Sequence, residues 1–327
     1  MRAIICTKYG SPDVLQLKEV LKPIPKNNEV LIKIHASSVT RADTMMRSGT
    51  PFYGRLFIGL TKPNNPITGT GFAGVIEEAG SEIKIFKKGD AVFGETGMGF
   101  STNAEYVCVS EDGLIAPKPE KISFEEAAPV CDGVLTSWCF LKDIGKINSS
   151  HKILVNGSSG SLGSAAVQIG KYFGAEVTGV CSSANKELVK SLGADKVIDY
   201  AQENFTKGEE KYDIIFDSIG KTSFSECKDV LKEYGIYLSP VLKFSLLLQM
   251  MLTSKFSKMK ARFSATGLRP VSELRVFLNE LIGIIKSGKI KMIIDRRYPL
   301  EQTADAHRYI DTGRKKGNVV LTLDQSK

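Results

Sequence analysis

Val155-Asn156-Gly157-Ser158-Ser159-Gly160-Ser161-Leu162-Gly163 is the stretch that decides the fold of this chain. The apolar run Ile153-Leu154-Val155 leads into it, and the helical pattern Ser164-Ala165-Ala166-Val167-Gln168-Ile169-Gly170-Lys171 leads out. Strand, glycine turn and helix in that order form the unit that holds a nucleotide pyrophosphate. Its glycines let the backbone approach the phosphates, and the helix N-terminus offers amide donors and a favourable dipole. Gly160 is expected to admit the phosphates, and Gly163 to let the helix pack on the strand. Ser158 stands where the first glycine of GxGxxG would be. The same letters could make a plain tight turn, but the strand before and the helix after favour the nucleotide reading.

Ala175-Glu176-Val177-Thr178-Gly179-Val180-Cys181 reads as the second parallel strand, and Ser182-Ser183-Ala184-Asn185-Lys186 follows it. A unit built for NAD places Asp or Glu about 20 residues past the glycine turn, to accept from the ribose 2′-hydroxyl. Here that tip carries hydroxyls, an amide and one cation, a set that repels nothing on a 2′-phosphate and can bond to it. NADPH is therefore expected over NADH, with a polar loop and a solvated lysine as the alternative.

Outward from this centre the chain changes character. Before Pro119 it is a series of short strand signals punctuated by Gly and Pro, among them Arg2-Ala3-Ile4-Ile5-Cys6, Glu29-Val30-Leu31-Ile32-Lys33-Ile34-His35-Ala36 and Ala104-Glu105-Tyr106-Val107-Cys108-Val109. That pattern argues for a β-barrel-like domain. Ser123 and Glu126 are spaced as a capping box at a helix start. From Lys152 to about Pro240 apolar strands alternate with helices, the signature of an α/β doubly wound parallel sheet. A helix from Val271 to Lys286 and a strand Asn318-Val319-Val320-Leu321-Thr322-Leu323 end the chain. The expected division is 1–122 for the first part of the barrel-like domain, 123–267 for the nucleotide domain and 268–327 for a return to the first.

Length and composition set further bounds. A chain of 327 residues suits two domains, each burying its own core. No early segment joins a charged start, a long apolar core and a small-residue cleavage site, so no secretory signal is expected. Six cysteines without paired or CxxC spacing read as reduced thiols of a cytoplasmic protein. The net charge of +8 is dispersed and lacks interleaved aromatics, so it points to an anionic cofactor rather than to specific nucleic-acid binding.

The chain resembles the medium-chain dehydrogenase/reductase superfamily and, within it, the zinc-free quinone oxidoreductase (zeta-crystallin-like) branch. The resemblance runs through Ala36-Ser37-Ser38-Val39-Thr40-Arg41-Ala42-Asp43, Gly69-Thr70-Gly71-Phe72-Ala73-Gly74-Val75-Ile76, Lys88-Gly89-Asp90-Ala91-Val92, Leu135-Thr136-Ser137-Trp138, the glycine turn, Asp217-Ser218-Ile219-Gly220 and Gly317-Asn318-Val319-Val320. It implies a Rossmann domain with a GroES-like β-barrel domain, in a homodimer. Zinc alcohol dehydrogenases of the superfamily put Cys where Thr40 stands and His where Thr70 stands, and neither threonine suits zinc. No metal is therefore expected, and His35, His151 and His307 read as structural. Gly71 occupies a position where relatives carry an acid, Met45 one where some carry a pocket tyrosine, and Thr40 replaces their asparagine.

For the cofactor, the expected contacts are Gly157, Ser158, Gly160, Ser161, Leu162 and Gly163 at the pyrophosphate, and Ser182, Ser183, Lys186 and Tyr200 at the 2′-phosphate. The resemblance adds Thr136 near the nicotinamide, with Ile219 and Gly220 closing over the cofactor. Thr40, Asp43 and Tyr53 are the catalytic candidates, Asp43 being equally readable as a helix cap; Met45 and Phe72 are the pocket candidates. Without a Lewis acid, the acceptor must delocalise charge by itself, as quinones and α,β-unsaturated carbonyls do. The expected reaction is hydride transfer from NADPH to a small apolar electrophile. The alternatives are a zinc-free alcohol dehydrogenase and a non-catalytic protein that senses NADPH or binds RNA. The segment from Leu242 to Arg262, rich in Leu, Met and Lys, reads as core or dimer packing, with peripheral membrane contact as a further reading.

Overall fold

The computed structural model describes residues 1–323. The chain forms two compact units, one of Met1–Asp132, Gly267–Lys286 and the chain from Met292 on, the other of Gly133–Thr266 with Ser287–Lys291.

In the first unit β1 (Arg2–Cys6) and β2 (Leu15–Glu19) pair antiparallel. β3 (Glu29–Val39), β4 (Gly71–Ala79), β5 (Ala91–Glu95), β6 (Tyr106–Ser110) and β7 (Leu114–Pro117) follow. β3 is the hub, pairing antiparallel with both β4 and β6. Its Val30, Ile32 and Ile34 are fully buried and pack with Phe72, Val92, Val107 and Val109 in one core. Cutting any of these isoleucines to Ala would cost about 2–5 kcal/mol. The helix Arg41–Ser48 leaves the end of β3; its N-cap Thr40 and its first-turn Asp43 are two of the catalytic candidates.

The second unit is a six-stranded parallel sheet: β8 (Lys152–Asn156), β9 (Glu176–Cys181), β10 (Lys196–Asp199), β11 (Tyr212–Asp217), β12 (Leu231–Ser239) and β13 (Lys260–Phe263). The strand order is β10-β9-β8-β11-β12-β13. A parallel sheet is covered on both faces, which is why β8 and β11 read as unbroken apolar runs, with Ile153, Leu154, Val155, Ile214, Ile215 and Phe216 all buried. The order of addition switches at β8: β9 and β10 extend the parallel sheet on one side of it, and β11, β12 and β13 on the other. That switch point opens the crevice where such sheets bind nucleotides, and the glycine turn leaves β8 into it. β13 escaped the sequence reading because Lys260-Ala261-Arg262-Phe263 shows no apolar run.

The tail supplies β14 (Ile294–Pro299) and β15 (Asn318–Thr322), giving the first unit a sheet of order β14-β15-β3-β4-β5-β7. β15 pairs antiparallel with β3, so both ends of the chain build one sheet. The division drawn from the sequence differs from the compact units chiefly over 123–132 and 287–291.

Candidate active site

The glycine turn has the geometry of a tight cradle. Gly157 sits at φ +78°, where a side chain is strained, and a Cβ there would come within 2.6 Å of Ile219 Cγ2. A Cβ on Gly163 would lie 2.1 Å from the Gly157 carbonyl oxygen, so the helix Ser161–Tyr172 packs against the turn backbone with no room for one. Gly160 caps that helix in extended conformation, and a Cβ there would meet only the Gly157 oxygen, at 3.5 Å. The space over Gly160 is therefore open, at a helix N-terminus whose first-turn amides have no partner four residues back. Ser137 Oγ donates to the Leu162 carbonyl (2.8 Å), which holds the short helix bearing Thr136 beside the turn. These residues fit a dinucleotide pyrophosphate.

Ser158 does not take the role expected of it. Its side chain is fully buried, and both its amide and its hydroxyl donate to the Val180 carbonyl on β9, each at 3.0 Å. Its donors lock the turn to the next strand and leave none for a phosphate.

The 2′-phosphate candidates lie past β9, as expected, but a carboxylate has joined them. Ser183 Oγ donates to Asp199 at the end of β10, and Lys186 Nζ lies 3.8 Å from the same carboxyl group. The Ser183 hydroxyl and the Ala201 amide hold the Asp199 carboxyl below its usual range. Asp199 is buried, whereas Ser183 and Tyr200 are exposed and Lys186 half-buried, so the outer surface of the cluster is hydroxyl, ring and ammonium. The sequence showed no acid within 182–186; this one arrives from the neighbouring strand.

Asp217 organises the other side of the crevice. Fully buried, it accepts from Asn156 Nδ2, the Gly220 amide, the Thr222 amide and hydroxyl, and Tyr237 Oη, at 2.8–3.0 Å. This network sets Gly220 at φ +65° and leaves Ile219 exposed at the mouth. Asp217 was quoted in the sequence only as part of a motif; five donors on one carboxylate show it to be the anchor of that loop.

On the first unit, Thr40 and Asp43 form a capping box. Thr40 Oγ1 and the Thr40 amide both donate to Asp43 Oδ2 at 2.7 Å, and the Asp43 amide points back to Thr40 Oγ1. Asp43 is thus the cap, yet it is also an unusual acid: burial pushes its pKa up to about 6 against those hydrogen bonds. Glu95, at the end of β5, is pushed up to about 7 by burial and then by the charge of Asp43. Asp132 is raised too, by burial and then by Glu95 and Asp43, while Ser38 Oγ donates to its Oδ2. Burial lowers Lys315 to about 8, against the attraction of Asp132 and Asp295. Gly71 is glycine for a related reason, since a Cβ there would fall 2.3 Å from Ser38 Oγ and 2.7 Å from Asp132 Oδ2. Three carboxyl groups therefore share one poorly solvated neighbourhood, and they cannot all ionise cheaply. The sequence singled out Asp43 alone, because nothing in its spacing links positions 95 and 132.

Beside this cluster the first unit holds a cavity of about 530 Å³, walled by Leu21, Ile67, Met98, Phe100, Leu114 and Val271 and reaching Glu95. Its rim loop holds Phe100 at φ +51° and Ser101 at φ +77°, a conformation that costs about 1–3 kcal/mol per residue and is tolerated where the surroundings enforce it. Tyr53 is half-exposed on a single 3₁₀ turn, and Met45 is half-buried in the helix Arg41–Ser48. Phe72 does not line a pocket: it is fully buried in the β3–β4 core, against Ile32 and Val92.

The protein is similar along nearly its whole length to reductases. A profile described as "Alcohol dehydrogenase GroES-like domain" matches residues 26–120, and one described as "Zinc-binding dehydrogenase" matches 192–321. It is 35% identical to 2-methylene-furan-3-one reductase of Solanum lycopersicum over 98% of this chain and 79% of that protein. It is 30% identical to the human quinone oxidoreductase over 99% of this chain and 98% of the relative. The chain belongs to the medium-chain dehydrogenase/reductase superfamily, among the quinone oxidoreductase-like proteins. Among solved structures, an Escherichia coli quinone oxidoreductase complexed with NADPH superposes with a TM-score of 0.85 at 26% identity, covering 98% of this chain and 100% of that one. The parallel sheet of the second unit is the superfamily's Rossmann domain, and the strand-rich unit contains its GroES-like domain.

The zinc named in one profile does not fit the residues present. Thr40 Oγ1 is spent on Asp43, Thr70 is another alcohol, and zinc takes thiolate, imidazole or carboxylate. Among the described residues no three His, Cys, Asp or Glu side chains come together as a metal-binding group. His35 stacks on Phe124 in β3, and His307 is buried in the helix Thr303–Asp311, its pKa lowered by burial to about 3.

Proposed function

We propose that this protein is an NADPH-dependent reductase that delivers hydride to a quinone or an α,β-unsaturated carbonyl without a metal. The observation that carries the reading is the Gly157–Gly160–Gly163 cradle at the sheet's switch point, on a chain collinear with quinone and conjugated-ketone reductases. Bound NADPH supplies the hydride. The turn and the first turn of the helix Ser161–Tyr172 hold its pyrophosphate, and Lys186 and Tyr200 meet the 2′-phosphate, with Ser183 holding Asp199 behind them.

Hydride addition leaves a delocalised anion that needs one proton. When Asp43 is protonated, its carboxyl donates to Thr40 Oγ1; the Thr40 hydroxyl then gives its own hydrogen to the acceptor oxygen and takes the Asp43 hydrogen, leaving Asp43 as the carboxylate. Burial raises Glu95 and Asp132 as well, and their charges oppose that of Asp43, which favours the protonated form of Asp43 that the step needs. We further propose a cytoplasmic homodimer; among the described residues no helix is long and apolar enough to cross a membrane.

The test is steady-state quinone reduction by Thr40→Val and Asp43→Asn, with NADPH saturating. The reading expects kcat to fall about 100-fold in Thr40→Val, the low end for general acid catalysis. Asp43→Asn should shift the pH profile above 6. A kcat within twofold of the parent for both variants would discard this proton route.

A further inference from the structure

The helix Phe244–Phe256 is apolar on every side but buried on only one. At 100° per residue, Leu246, Met250 and Thr253 fall on one half, and Leu246 and Met250 pack against the core that includes Tyr237 and Ala261. The opposite half carries Phe244, Leu247, Leu248, Met251 and Leu252, all exposed, with Phe244 at 85% and Met251 at 69%. Phe256, 82% exposed, ends the helix about 18 Å from Phe244. A water-facing half built of Phe, Leu and Met calls for a cover.

Charge says which cover. From Tyr234 to Thr266 the sequence has no Asp or Glu and five cations, Lys243, Lys255, Lys258, Lys260 and Arg262. Lys260 is spent on the helix C-terminus, donating to the carbonyls of Thr253, Ser254 and Ser257, and Lys258 meets Glu233. Lys243 precedes the helix, and Lys255 lies on its exposed half; both side chains are exposed. A second copy is a poor cover, because a two-fold interface sets the patch against itself and brings the two cation sets together. An anionic surface with an apolar interior meets both properties at once.

We propose that this helix is a peripheral docking face for an anionic lipid bilayer. The helix lies along the membrane plane, with Phe244, Leu248, Met251 and Phe256 at the acyl boundary and Lys243 and Lys255 at the headgroups. The aliphatic stem of Lys255 lets its ammonium rise from the apolar half to the phosphates. The face is on the second unit and does not depend on the reaction proposed above.

The test is co-sedimentation of the full chain with vesicles of pure phosphatidylcholine and of phosphatidylcholine mixed with phosphatidylglycerol. Binding is expected to the mixed vesicles only, and to weaken as salt rises. Lys255→Gln should lower the partition coefficient about fivefold, the effect of one basic residue at an anionic surface. Leu248→Glu with Met251→Glu should abolish binding with Tm unchanged, since both side chains already face water. Should that double variant fail to fold, Lys243→Gln with Lys255→Gln carries the test. The proposal is overturned by no sedimentation with mixed vesicles, by equal binding to both lipids, or by undiminished binding of the variants. It is equally overturned if the double variant splits a dimer of the parent protein that binds no vesicle, which would make the face a contact between copies.

Discussion

Gly160→Ala separates holding a cofactor from merely making a turn. The residue sits at φ −79°, ψ −178°, which alanine adopts without strain, and the added Cβ would meet only the Gly157 oxygen at an ordinary 3.5 Å. Replacing glycine at a compatible site stabilises by about 0.4–1 kcal/mol through the unfolded chain. Alanine is a poorer N-cap than glycine, by an amount of similar size and opposite sign. The folded protein should therefore scarcely notice, with Tm within about 2 °C of the parent. The pyrophosphate would notice, because the methyl group stands where phosphate oxygens approach the helix amides. Losing one charge-assisted hydrogen bond costs about 1.5–3 kcal/mol, or roughly 10- to 100-fold in NADPH Kd. Gly163→Ala is the contrast: its Cβ would sit 2.1 Å from the Gly157 oxygen, so turn and helix must part. Overpacking of that kind costs about 1–3 kcal/mol of stability whether or not cofactor is present. Calorimetric titration with NADPH, with thermal melts of both variants, reads the two effects. An unchanged NADPH Kd in folded Gly160→Ala would refute the cradle.

Lys186→Ala should weaken NADPH about tenfold or more and leave NADH nearly untouched, since only the 2′-phosphate gains from the ammonium; equal losses for both dinucleotides would move the phosphate elsewhere. The raised carboxyls also make stability depend on pH. Glu95, shifted up to about 7 from an unfolded value near 4.5, binds more protons in the folded state, so its contribution is full below about pH 4.5 and is lost as pH rises through 7. Glu95→Gln should accordingly raise Tm more at pH 8 than at pH 5, a difference that scanning fluorimetry reads directly. A larger gain at pH 5 would contradict the burial of that carboxyl.

Much of this molecule was legible because its signals are local. The turn from Gly157 to Gly163 and the alternation of β3 each depend on residues close in sequence, and Ser123 and Glu126 form the capping box their spacing announced. What stayed hidden depends on residues far apart. Glu95 and Asp132 meet Asp43 only after β5 and the chain near 132 have packed, and no spacing rule joins positions 43, 95 and 132. Asp199 reaches Ser183 from the next strand. Phe72 and Ser158 were assigned by position in a motif, and burial then removed both side chains from any ligand.

The most direct measurement is NADPH consumption by chelator-treated protein against a panel of quinones and conjugated ketones, with NADH in parallel. The account predicts turnover that prefers NADPH and is indifferent to the chelator. NADPH binding without turnover on any acceptor, or activity that disappears on chelation and returns with zinc, would contradict it.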